Sequence, residues 1–290
     1  MIPIQEEDPH FKKVLAFLLK AKGFDGHHYK PNYIKRRVAV RMRAMGTPTY
    51  QDYLHVLQNN RQEPSLLLDR LTIHVTEFFR DPEVYQAIRS KLLVSLPTVD
   101  GTRIKVWCAG CSTGEEPYSV AILLKEWTFT QPGVGFDIFA TDFDAASVRT
   151  GEKGEYPMES LRKITKAQMT RWFHLEGQKV RVVSDLKRSI RFRTHDLLSD
   201  WTTDFTDFHM IFCRNLLIYL TSEQQQKLYE RFAGIIAPGG YLILGLTETL
   251  LGPSRKYFQC VDIRHRIYQV LPGVGLPGNN AKKEKRATDG

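Results

Sequence analysis

The feature that most constrains the fold is a regular alternation of apolar runs and helical patterns after residue 104. Four apolar runs recur, at residues 104–108, 136–142, 209–213 and 241–246. Helical patterns separate them, at about 115–127 and 222–236. Continuous apolar strands that alternate with helices are typical of a parallel sheet covered on both faces. The sequence therefore predicts a doubly wound α/β domain in this part of the chain.

A different pattern interrupts the alternation at residues 179–194, where apolar and charged side chains alternate around Ser184 and Asp185. Such alternation is typical of an exposed antiparallel hairpin and not of a buried parallel strand. We predict a small antiparallel β-subdomain inserted at about residues 175–194. Two further strand-like runs, at about 257–261 and 266–271, predict a final hairpin.

The first 70 residues or so have helical spacing throughout. A basic segment at residues 28–46 contains no acid, and its apolar residues recur every three or four positions. That spacing gives one apolar stripe, which arginines flank. The stripe consists of Ile34, Val38, Met42 and Met45.

The change in pattern defines the predicted domains. A helical domain spans residues 1–73, and a linker with a helix spans 74–94. The α/β domain spans 95–271. Residues 272–290 are rich in glycine, proline, asparagine and lysine, which predicts a disordered basic tail.

The first strand of the α/β domain leads into the sequence VWCAGCSTGEEPYS at residues 106–119. Cys108 and Cys111 resemble a thioredoxin-type redox pair or half of a metal site, but no second pair completes four ligands. Pro117 suits the first turn of a helix that begins near Glu115, so both cysteines are predicted to lie in the loop before the helix. The alternative is a ligand-binding loop of small residues.

The chemistry of the neighbouring acids indicates which ligand such a loop would bind. Paired glutamates at a helix start disfavour a pyrophosphate and suit an ammonium group. Asp142 ends the second strand, where a carboxylate can accept both ribose hydroxyls, although an aspartate there is as often a helix cap. An ammonium acceptor and a ribose acceptor without a phosphate site describe S-adenosylmethionine.

The composition is that of a globular protein, with 42% hydrophobic and 25% charged residues. Four cysteines do not form a disulfide framework, which predicts a reducing compartment. The first residues lack a secretory pattern, and no apolar run approaches the ~20 residues that cross a bilayer. We expect a soluble, cytoplasmic protein without direct membrane insertion.

Five stretches in order resemble the CheR family of chemotaxis-receptor glutamate methyltransferases. They are LTIHVTEFFRD at 71–81, VWCAGCSTGEEPYS at 106–119, FATDFD at 139–144, HDLL at 195–198 and IFCRNLLIYL at 211–220. The similarity covers roughly residues 10–270. It implies a helical N-terminal domain, a Rossmann-like methyltransferase domain and an inserted antiparallel β-subdomain. The cysteines then become variable residues of a cofactor loop.

The resemblance implies roles for individual residues. Arg80 and Tyr219 would be catalytic, Arg80 by holding a carboxylate. Glu115 would face solvent beside the cofactor. The implied S-adenosylmethionine-binding residues are His74, Thr76, Arg80, Glu116, Asp142, Asp196, Leu197, Arg214 and Asn215, and no metal is implied. Receptor docking is expected of Arg36, Arg37, Arg41 and Arg43.

Two positions depart from the family pattern, which generally has asparagine at both. His74 supplies one donor or acceptor in place of an amide pair. Asp196, when ionised, accepts hydrogen bonds but cannot donate to an adenine ring nitrogen. Cofactor affinity and its pH dependence are the properties that these two residues put in question.

The implied activity is methyl transfer from S-adenosylmethionine to glutamates of the chemoreceptor helical bundle, which leaves S-adenosylhomocysteine and places the protein peripherally at receptor arrays. Residues 174–179 are shorter than the link in relatives that bind a receptor tail peptide along an edge strand, here at 180–182. We therefore predict no tail-peptide binding. The charge of +9 leaves a nucleic-acid methyltransferase or binding protein as one alternative. The departures at His74 and Asp196 leave a degenerate S-adenosylmethionine sensor as another. The basic helix lacks interleaved exposed aromatics, so no nucleic-acid partner is expected.

Overall fold

Two compact units make up the chain in the computed structural model, which describes residues 8–72, 75–96, 99–201 and 205–272. The first unit consists of Met1–Ile73 and Tyr219–Gln224. The second consists of His74–Ile218 and Gln225–Gly290. The predicted tail at 273–290 lies outside the described residues.

Four helices form the described part of the first unit: α1 (Pro9–Lys22), α2 (Pro31–Met45), α3 (Tyr50–Asn59) and α4 (Glu63–Leu71). The predicted helical stripe of α2 is partly correct, because Ile34 and Val38 are fully buried whereas Met42 and Met45 are half-buried. Both α1 and α2 end at a glycine with positive φ. This is the usual helix C-terminus, since glycine adopts that conformation without strain.

A buried ion pair links helices of this unit. Glu63 is fully buried, and both of its oxygens accept from the guanidinium of Arg41, at 2.9 and 2.6 Å. The hydroxyl of Tyr53 donates to the same carboxylate at 2.7 Å. The pair therefore joins α2, α3 and α4. Arg41, expected to dock a receptor, is engaged inside its own domain.

The segment Tyr219–Gln224 folds with the first unit although it lies far away in sequence. The N–H of Lys30 donates to the Tyr219 carbonyl at 2.9 Å, and the N–H of Thr221 donates to the His28 carbonyl at 3.0 Å. Tyr29 and Leu220 form an antiparallel bridge between these bonds. This short segment is thus hydrogen-bonded into the helical unit, although the residues before and after it in sequence belong to the second unit.

The described residues of the second unit form ten strands and most of the remaining helices. The strands are β1 (Arg103–Ala109), β2 (Gly135–Asp142), β3 (Glu155–Pro157), β4 (Phe173–Glu176), β5 (Lys179–Val182), β6 (Ile190–Thr194), β7 (Phe208–Cys213), β8 (Ile236–Leu244), β9 (Phe258–Asp262) and β10 (Ile267–Val270). The helices are α5 (Pro82–Ala87), α6 (Glu115–Thr128), α7 (Ala145–Lys153), α8 (Lys166–Trp172), α9 (Ser184–Arg188) and α10 (Ser222–Ile235).

The main sheet confirms the predicted doubly wound architecture. Its order is β6-β2-β1-β7-β8-β10-β9. The first five of these strands pair in parallel, and β10 pairs antiparallel with both β8 and β9. After β1 the chain adds β2 and then β6 on one side of β1. It then crosses over and adds β7 and β8 on the other side of β1. Ligands bind outside the carboxyl ends of the strands at such a reversal, so the fold directs attention to the ends of β1, β2 and β7.

The inserted antiparallel subdomain is present, but its strands differ from the predicted ones. It consists of β3, β5 and β4, with β5 in the middle. The predicted hairpin at 179–194 is wrong, because Ser184–Arg188 forms a helix and β6 pairs in parallel with β2. An edge strand of a parallel sheet also alternates, since Ile190 is buried and Arg191 is exposed. Residues 180–182 are consequently not an edge.

No helix within the described ranges is long and apolar enough to cross a membrane. The final hairpin is confirmed, with β9 and β10 paired antiparallel. The apolar core of the second unit lies on the faces of the main sheet and reaches the small sheet. Its members include Val106, Ile138, Phe212, Ile243 and Val180.

The Glu63 carboxylate should carry much of the stability of the helical unit. Replacing Glu63 with alanine leaves the half-buried Arg41 guanidinium and the buried Tyr53 hydroxyl without their shared acceptor, which typically costs about 1.5–3 kcal/mol. We expect a loss of this size in the free energy of unfolding, measured by urea denaturation. Asp69→Ala, an exposed acid of the same helix, is the control and should change stability by less than about 0.5 kcal/mol. Equal losses for the two variants would contradict the proposed role of the pair.

Candidate functional site

The loop after β1 has a backbone that closely approaches its surroundings. Gly110, Ser112 and Gly114 all have positive φ, at 79°, 48° and 101°. A Cβ at Gly114 would lie 2.8 Å from both the Gly151 Cα and the Tyr156 hydroxyl, so a side chain has no room there. Helix α6 begins at Glu115, directly after this loop, as predicted. The loop is therefore tightly packed backbone that leads directly into the N-terminus of α6.

The cysteines do not have the environment of a redox pair. Cys108 lies within β1 and not in the loop, which corrects the prediction for that residue, and Cys111 lies in the loop. Both thiols are buried, and burial raises the pKa of each well above its ordinary value. Reactive cysteines have lowered pKa values and begin a helix. The structure therefore favours the ligand-loop interpretation of the motif.

A buried arginine connects two acids beside the loop. Arg214 follows β7, and its side chain is 1% exposed. Its Nη1 donates to Glu116 Oε2 at 3.3 Å, and its Nη2 donates to Asp81 Oδ2 at 2.7 Å and to the Arg80 carbonyl at 3.1 Å. Burial raises the pKa of the Glu116 carboxyl, and the Arg214 charge opposes this rise. The predicted site residues Arg80, Glu116 and Arg214 are thus brought together.

Glu115 was predicted to face solvent and does not. It is 7% exposed, and the Thr113 hydroxyl donates to its Oε2 at 2.7 Å. Burial raises the pKa of this carboxyl too. Glu116 is the more exposed member of the pair, with 14% of its side chain exposed, and Arg214 donates to it. Of the two acids, Glu116 is therefore better placed to receive a ligand cation.

The backbone around Arg80 is held in an unusual conformation. Phe79 and Asp81, on either side, have φ values of 49° and 55°. This left-handed region costs a non-glycine residue roughly 1–2 kcal/mol, and such strain concentrates at functional sites. The Phe79 N–H donates to the Ser119 hydroxyl at 2.8 Å, and Arg80 Nη1 donates to the Val75 carbonyl at 2.8 Å. These bonds fix the direction of the Arg80 side chain.

Asp142 is the last residue of β2 and is not a helix cap. Its Oδ2 accepts from the Ser112 N–H at 2.8 Å and its Oδ1 from the Asp144 N–H at 3.0 Å. Asp144 is the residue that caps α7, by accepting from two backbone N–H groups. The helix-cap alternative for Asp142 is therefore removed. Its carboxylate lies at the junction of the β1 loop and the end of β2.

The residues after β6 continue the same edge of the sheet. The His195 N–H donates to the Asp142 carbonyl at 2.8 Å. Asp196 Oδ1 accepts from the Leu198 N–H at 2.9 Å, so this carboxylate stabilises its own turn. Leu197 is buried, and its carbonyl accepts from Trp201 Nε1 at 2.9 Å. The two residues predicted to bind adenine thus lie in an ordered turn next to Asp142.

A buried carboxylate that sequence reasoning missed holds the loop after β7. Glu248 is 3% exposed, and four backbone N–H groups donate to it. The donors, with their distances, are Gly245 at 2.7 Å, Asn215 at 2.8 Å, Leu217 at 2.7 Å and Ile218 at 3.3 Å. Burial raises the pKa of Glu248, and these four bonds oppose the rise. Glu248 therefore fixes the residues that follow Arg214.

Close packing accompanies these bonds. A Cβ at Gly245 would lie 2.8 Å from the backbone nitrogen of Asn215 and from Glu248 Oε2, so glycine is required there. Asn215 itself has φ of 61°. The sequence signal for this arrangement is the glycine and acid that follow the end of β8, at the same sheet edge as Arg214.

Three predicted residues remain without a demonstrated role. His74 lies outside the described residues, and Thr76 is half-buried. Tyr219 belongs to the helical unit, where its ring centre is 4.7 Å from that of Tyr33. Catalysis by Tyr219 stays a prediction.

The four arginines predicted to dock a receptor have different environments. Arg36 and Arg43 are exposed. The guanidinium of Arg37 lies 5.6 Å from the ring centre of Tyr33, and its buried Nε has no hydrogen-bond partner among the described residues. Arg41 is bound to Glu63. The two exposed residues are therefore the available charges of α2.

These residues fit S-adenosylmethionine. Glu116 offers a carboxylate to an ammonium group, and Asp142 offers acceptors to a ribose. The hydroxyl of Ser112, in the loop before Glu116, is buried and has no hydrogen-bond partner in the described part of the chain. Gly110 and Gly114 adopt positive φ, a conformation that glycine reaches without strain. The donor set thus suits a cationic amino acid joined to a nucleoside.

Removal of the Glu248 carboxylate should loosen the Arg214 loop. Glu248→Ala removes the acceptor that four backbone N–H groups share, and we expect a loss of about 2–4 kcal/mol in unfolding free energy. Amide exchange at Asn215, Leu217 and Ile218 should accelerate in the same variant. Thr247→Ala, at the exposed neighbouring position, should leave both measurements near those of the original protein. If exchange at the three amides is unchanged, Glu248 does not hold the loop after β7 in place.

Comparisons with known proteins agree with this geometry. Residues 74–267 match the family described as "CheR methyltransferase, SAM binding domain", and residues 9–72 match "CheR methyltransferase, all-alpha domain". The "Chemotaxis protein methyltransferase" of Listeria monocytogenes is 31% identical over 255 residues, which are 88% of this chain and 94% of that protein. The Escherichia coli protein of the same name is 30% identical over 257 residues, 86% of this chain and 87% of that protein.

A longer relative contains a similar sequence within a larger protein. An uncharacterized 104.1 kDa protein of Rhodobacter capsulatus is 34% identical over 251 residues, and the match covers 85% of this chain but 26% of that protein. The family matches cover both structural units almost completely. The chain belongs to the CheR methyltransferase family and is an S-adenosylmethionine-dependent methyltransferase.

Proposed function

We propose that this enzyme transfers methyl groups to glutamate side chains of chemoreceptor signalling helices, forming glutamyl methyl esters in chemotaxis. The observation that carries the proposal is the cluster of Arg80, Glu116 and Arg214 beside the β1 loop. It joins an acid suited to the cofactor to a cation suited to a substrate carboxylate. The two relatives with matching length are named chemotaxis protein methyltransferases, which supports the receptor as substrate.

In this proposal each residue acts by binding and orientation. Bound S-adenosylmethionine supplies an electrophilic methyl group on a sulfonium sulfur. Glu116 receives the ammonium of the cofactor, and Asp142 accepts its ribose hydroxyls. Arg214 positions the Glu116 carboxylate by donating a hydrogen bond to its Oε2 at 3.3 Å. Asp196 and Leu197 hold the adenine from the turn after β6.

In this proposal Arg80 binds and aligns the carboxylate of the substrate glutamate. A glutamate is already ionised near pH 7, so its oxygen needs no general base to act as nucleophile. The planar guanidinium of Arg80 can bind such a carboxylate in a bidentate manner and align it. Alignment of this kind can supply on the order of 7–11 kcal/mol in favourable cases. Tyr219 would assist in the same role.

Docking of the receptor is assigned to α2. Arg36 and Arg43 are exposed and carry no ion pair with a described residue. A basic helix attracts acidic helices and speeds their encounter. Arg37 and Arg41 contribute to the field of α2, while their side chains are engaged with Tyr33 and Glu63.

The tail-peptide prediction keeps its direction but changes its reason. The link at residues 174–179 is mostly strand, and it closes in a tight turn at Gly177, which has φ of 62°. Residues 180–182 pair on both sides, with β3 and β4. We propose that residues 180–182 bind no receptor tail peptide, because this strand already pairs on both sides. The two alternatives, a nucleic-acid protein and a degenerate sensor, are not favoured by the family matches.

Cofactor affinity should depend on pH through Glu116. Because its pKa is raised, this carboxyl takes up a proton at a higher pH than a free glutamate does, and the neutral form no longer attracts an ammonium. Affinity for S-adenosylhomocysteine should therefore fall as the pH is lowered from about 7.5 to 5. Glu116→Gln should bind more weakly by about 1.5–3 kcal/mol at pH 7.5 and show a flatter profile. Affinities are measured by calorimetry. If the original protein and Glu116→Gln show the same dependence of affinity on pH, Glu116 is not the titrating group.

Turnover should depend on Arg80. We expect Arg80→Ala to lower kcat about 100-fold or more on a chemoreceptor fragment, because the residue orients a reacting group. Its unfolding free energy should be nearly unchanged. Arg89→Ala is a matched control, since Arg89 forms an exposed ion pair with Glu126. Base-labile radiolabel from S-adenosylmethionine on the receptor identifies the glutamyl ester. Label stable to base, or label on nucleic acid, would overturn the proposed function.

A further inference from the structure

An apolar groove runs along the surface of the helical unit, apart from the α2 face. It lies between α1 and α3 and has a volume of about 660 Å³. Five of its lining residues recur on α1 at helical spacing, and two come from α3. The lining is Lys13, Ala16, Phe17, Lys20, Ala21, Leu54 and Gln58.

The shape of the groove follows from side-chain size. Ala16 and Ala21 are small and exposed, which leaves a depression on α1. Phe17 and Leu54 are half-buried, so both leave apolar surface in that depression. The core residues of α1 lie on its other face. A volume of this size accommodates two or three large apolar side chains.

The charge of the groove has one sign. Helix α1 contains four lysines and no acid. Lys13 and Lys20 lie two helical turns apart, roughly 10 Å along the axis, at the two ends of the apolar lining. Neither forms an ion pair or a side-chain hydrogen bond with a described residue. An acidic partner would therefore gain two charge contacts without breaking any existing one.

We propose that this groove docks an acidic amphipathic helix of the receptor substrate. The proposal rests on the proposed function. A helix placed in such a groove uses apolar residues three or four positions apart as anchors. Acidic residues about two turns apart on that helix would meet Lys13 and Lys20. The occupant is thus a glutamate-bearing helix of the bundle that carries apolar residues on its outer face, apart from the stripe that packs inside the bundle.

The groove supplies what α2 lacks. The apolar residues Tyr33, Ile34 and Val38 of α2 are buried in the core, so its exposed face consists mainly of charge. Charge accelerates encounter and contributes less to residence time than apolar contact does. Two surfaces on one domain, a charged helix and an apolar groove, therefore divide attraction and retention between them.

Two substitutions test the groove against matched controls. Ala21→Trp fills it, and Leu19→Trp adds the same side chain at an exposed apolar position of α1 that does not line it. Lys13→Glu reverses a lining charge, and Lys12→Glu reverses its exposed neighbour outside the groove. Binding to a chemoreceptor cytoplasmic fragment is measured by calorimetry, and methyl transfer to the same fragment is measured separately.

Ala21→Trp and Lys13→Glu should each weaken fragment binding and raise the apparent KM at least fivefold. The controls should change both by less than twofold, and affinity for S-adenosylhomocysteine should stay constant in all four. Groove variants that bind the fragment as their controls do would overturn the proposal. A fragment that binds through the groove but is never methylated would instead overturn the proposed function.

A membrane is the competing occupant, because a basic helix with apolar residues can bind anionic lipid. The same variants are therefore tested on vesicles of phosphatidylcholine and phosphatidylglycerol at a ratio of three to one. If Ala21→Trp abolishes vesicle binding and leaves fragment binding intact, the groove faces lipid and the receptor proposal fails. Loss of fragment binding with unchanged vesicle binding supports the proposal.

Discussion

Arg214 carries a full positive charge into the interior, and the arrangement of the site depends on how that charge is satisfied. An isolated guanidinium could not be buried, since removal of its hydration costs several kcal/mol. Arg214 is compensated by Glu116 on one side and Asp81 on the other, and it also donates to the Arg80 carbonyl. The same contacts hold the strained turn on which Arg80 lies. Charge burial therefore connects the segment before α5, the start of α6 and the end of β7.

The site separates residues that would touch the cofactor from residues that hold them in place. Glu116 lies in the first turn of α6, after the β1 loop, and Asp142 is the last residue of the neighbouring strand β2. Arg214 and Glu248 are almost completely buried and act through other groups. Glu248 is a strong acceptor because four N–H dipoles converge on it. Such a division reduces the freedom of the contacting groups, which is the condition for orientation to contribute to rate.

Much of this structure could be predicted from the sequence, for identifiable reasons. The apolar runs predicted β1, β2, β7 and β8 correctly, because buried parallel strands are apolar throughout. Prediction failed where tertiary contacts decide the outcome. The residues of β6 alternate like a hairpin, and only the neighbouring β2 shows that they form a sheet edge. Arg41 looks like a surface charge until Glu63, 22 residues later, proves to be its buried partner. The glycine and acid after β8 do not by themselves identify the role of Glu248, since its partners are backbone groups of a distant loop.

Because the segment Tyr219–Gln224 folds with the helical unit, no single cut in the sequence separates the two domains. A fragment that begins after residue 73 would retain this segment and lose the Lys30 and His28 backbone groups to which it is bonded. A fragment that ends there would lose the segment itself. The helical and catalytic halves are therefore not independent modules that recombination could exchange freely. A graft between relatives would have to move two pieces of chain together, one from each side of the catalytic sequence.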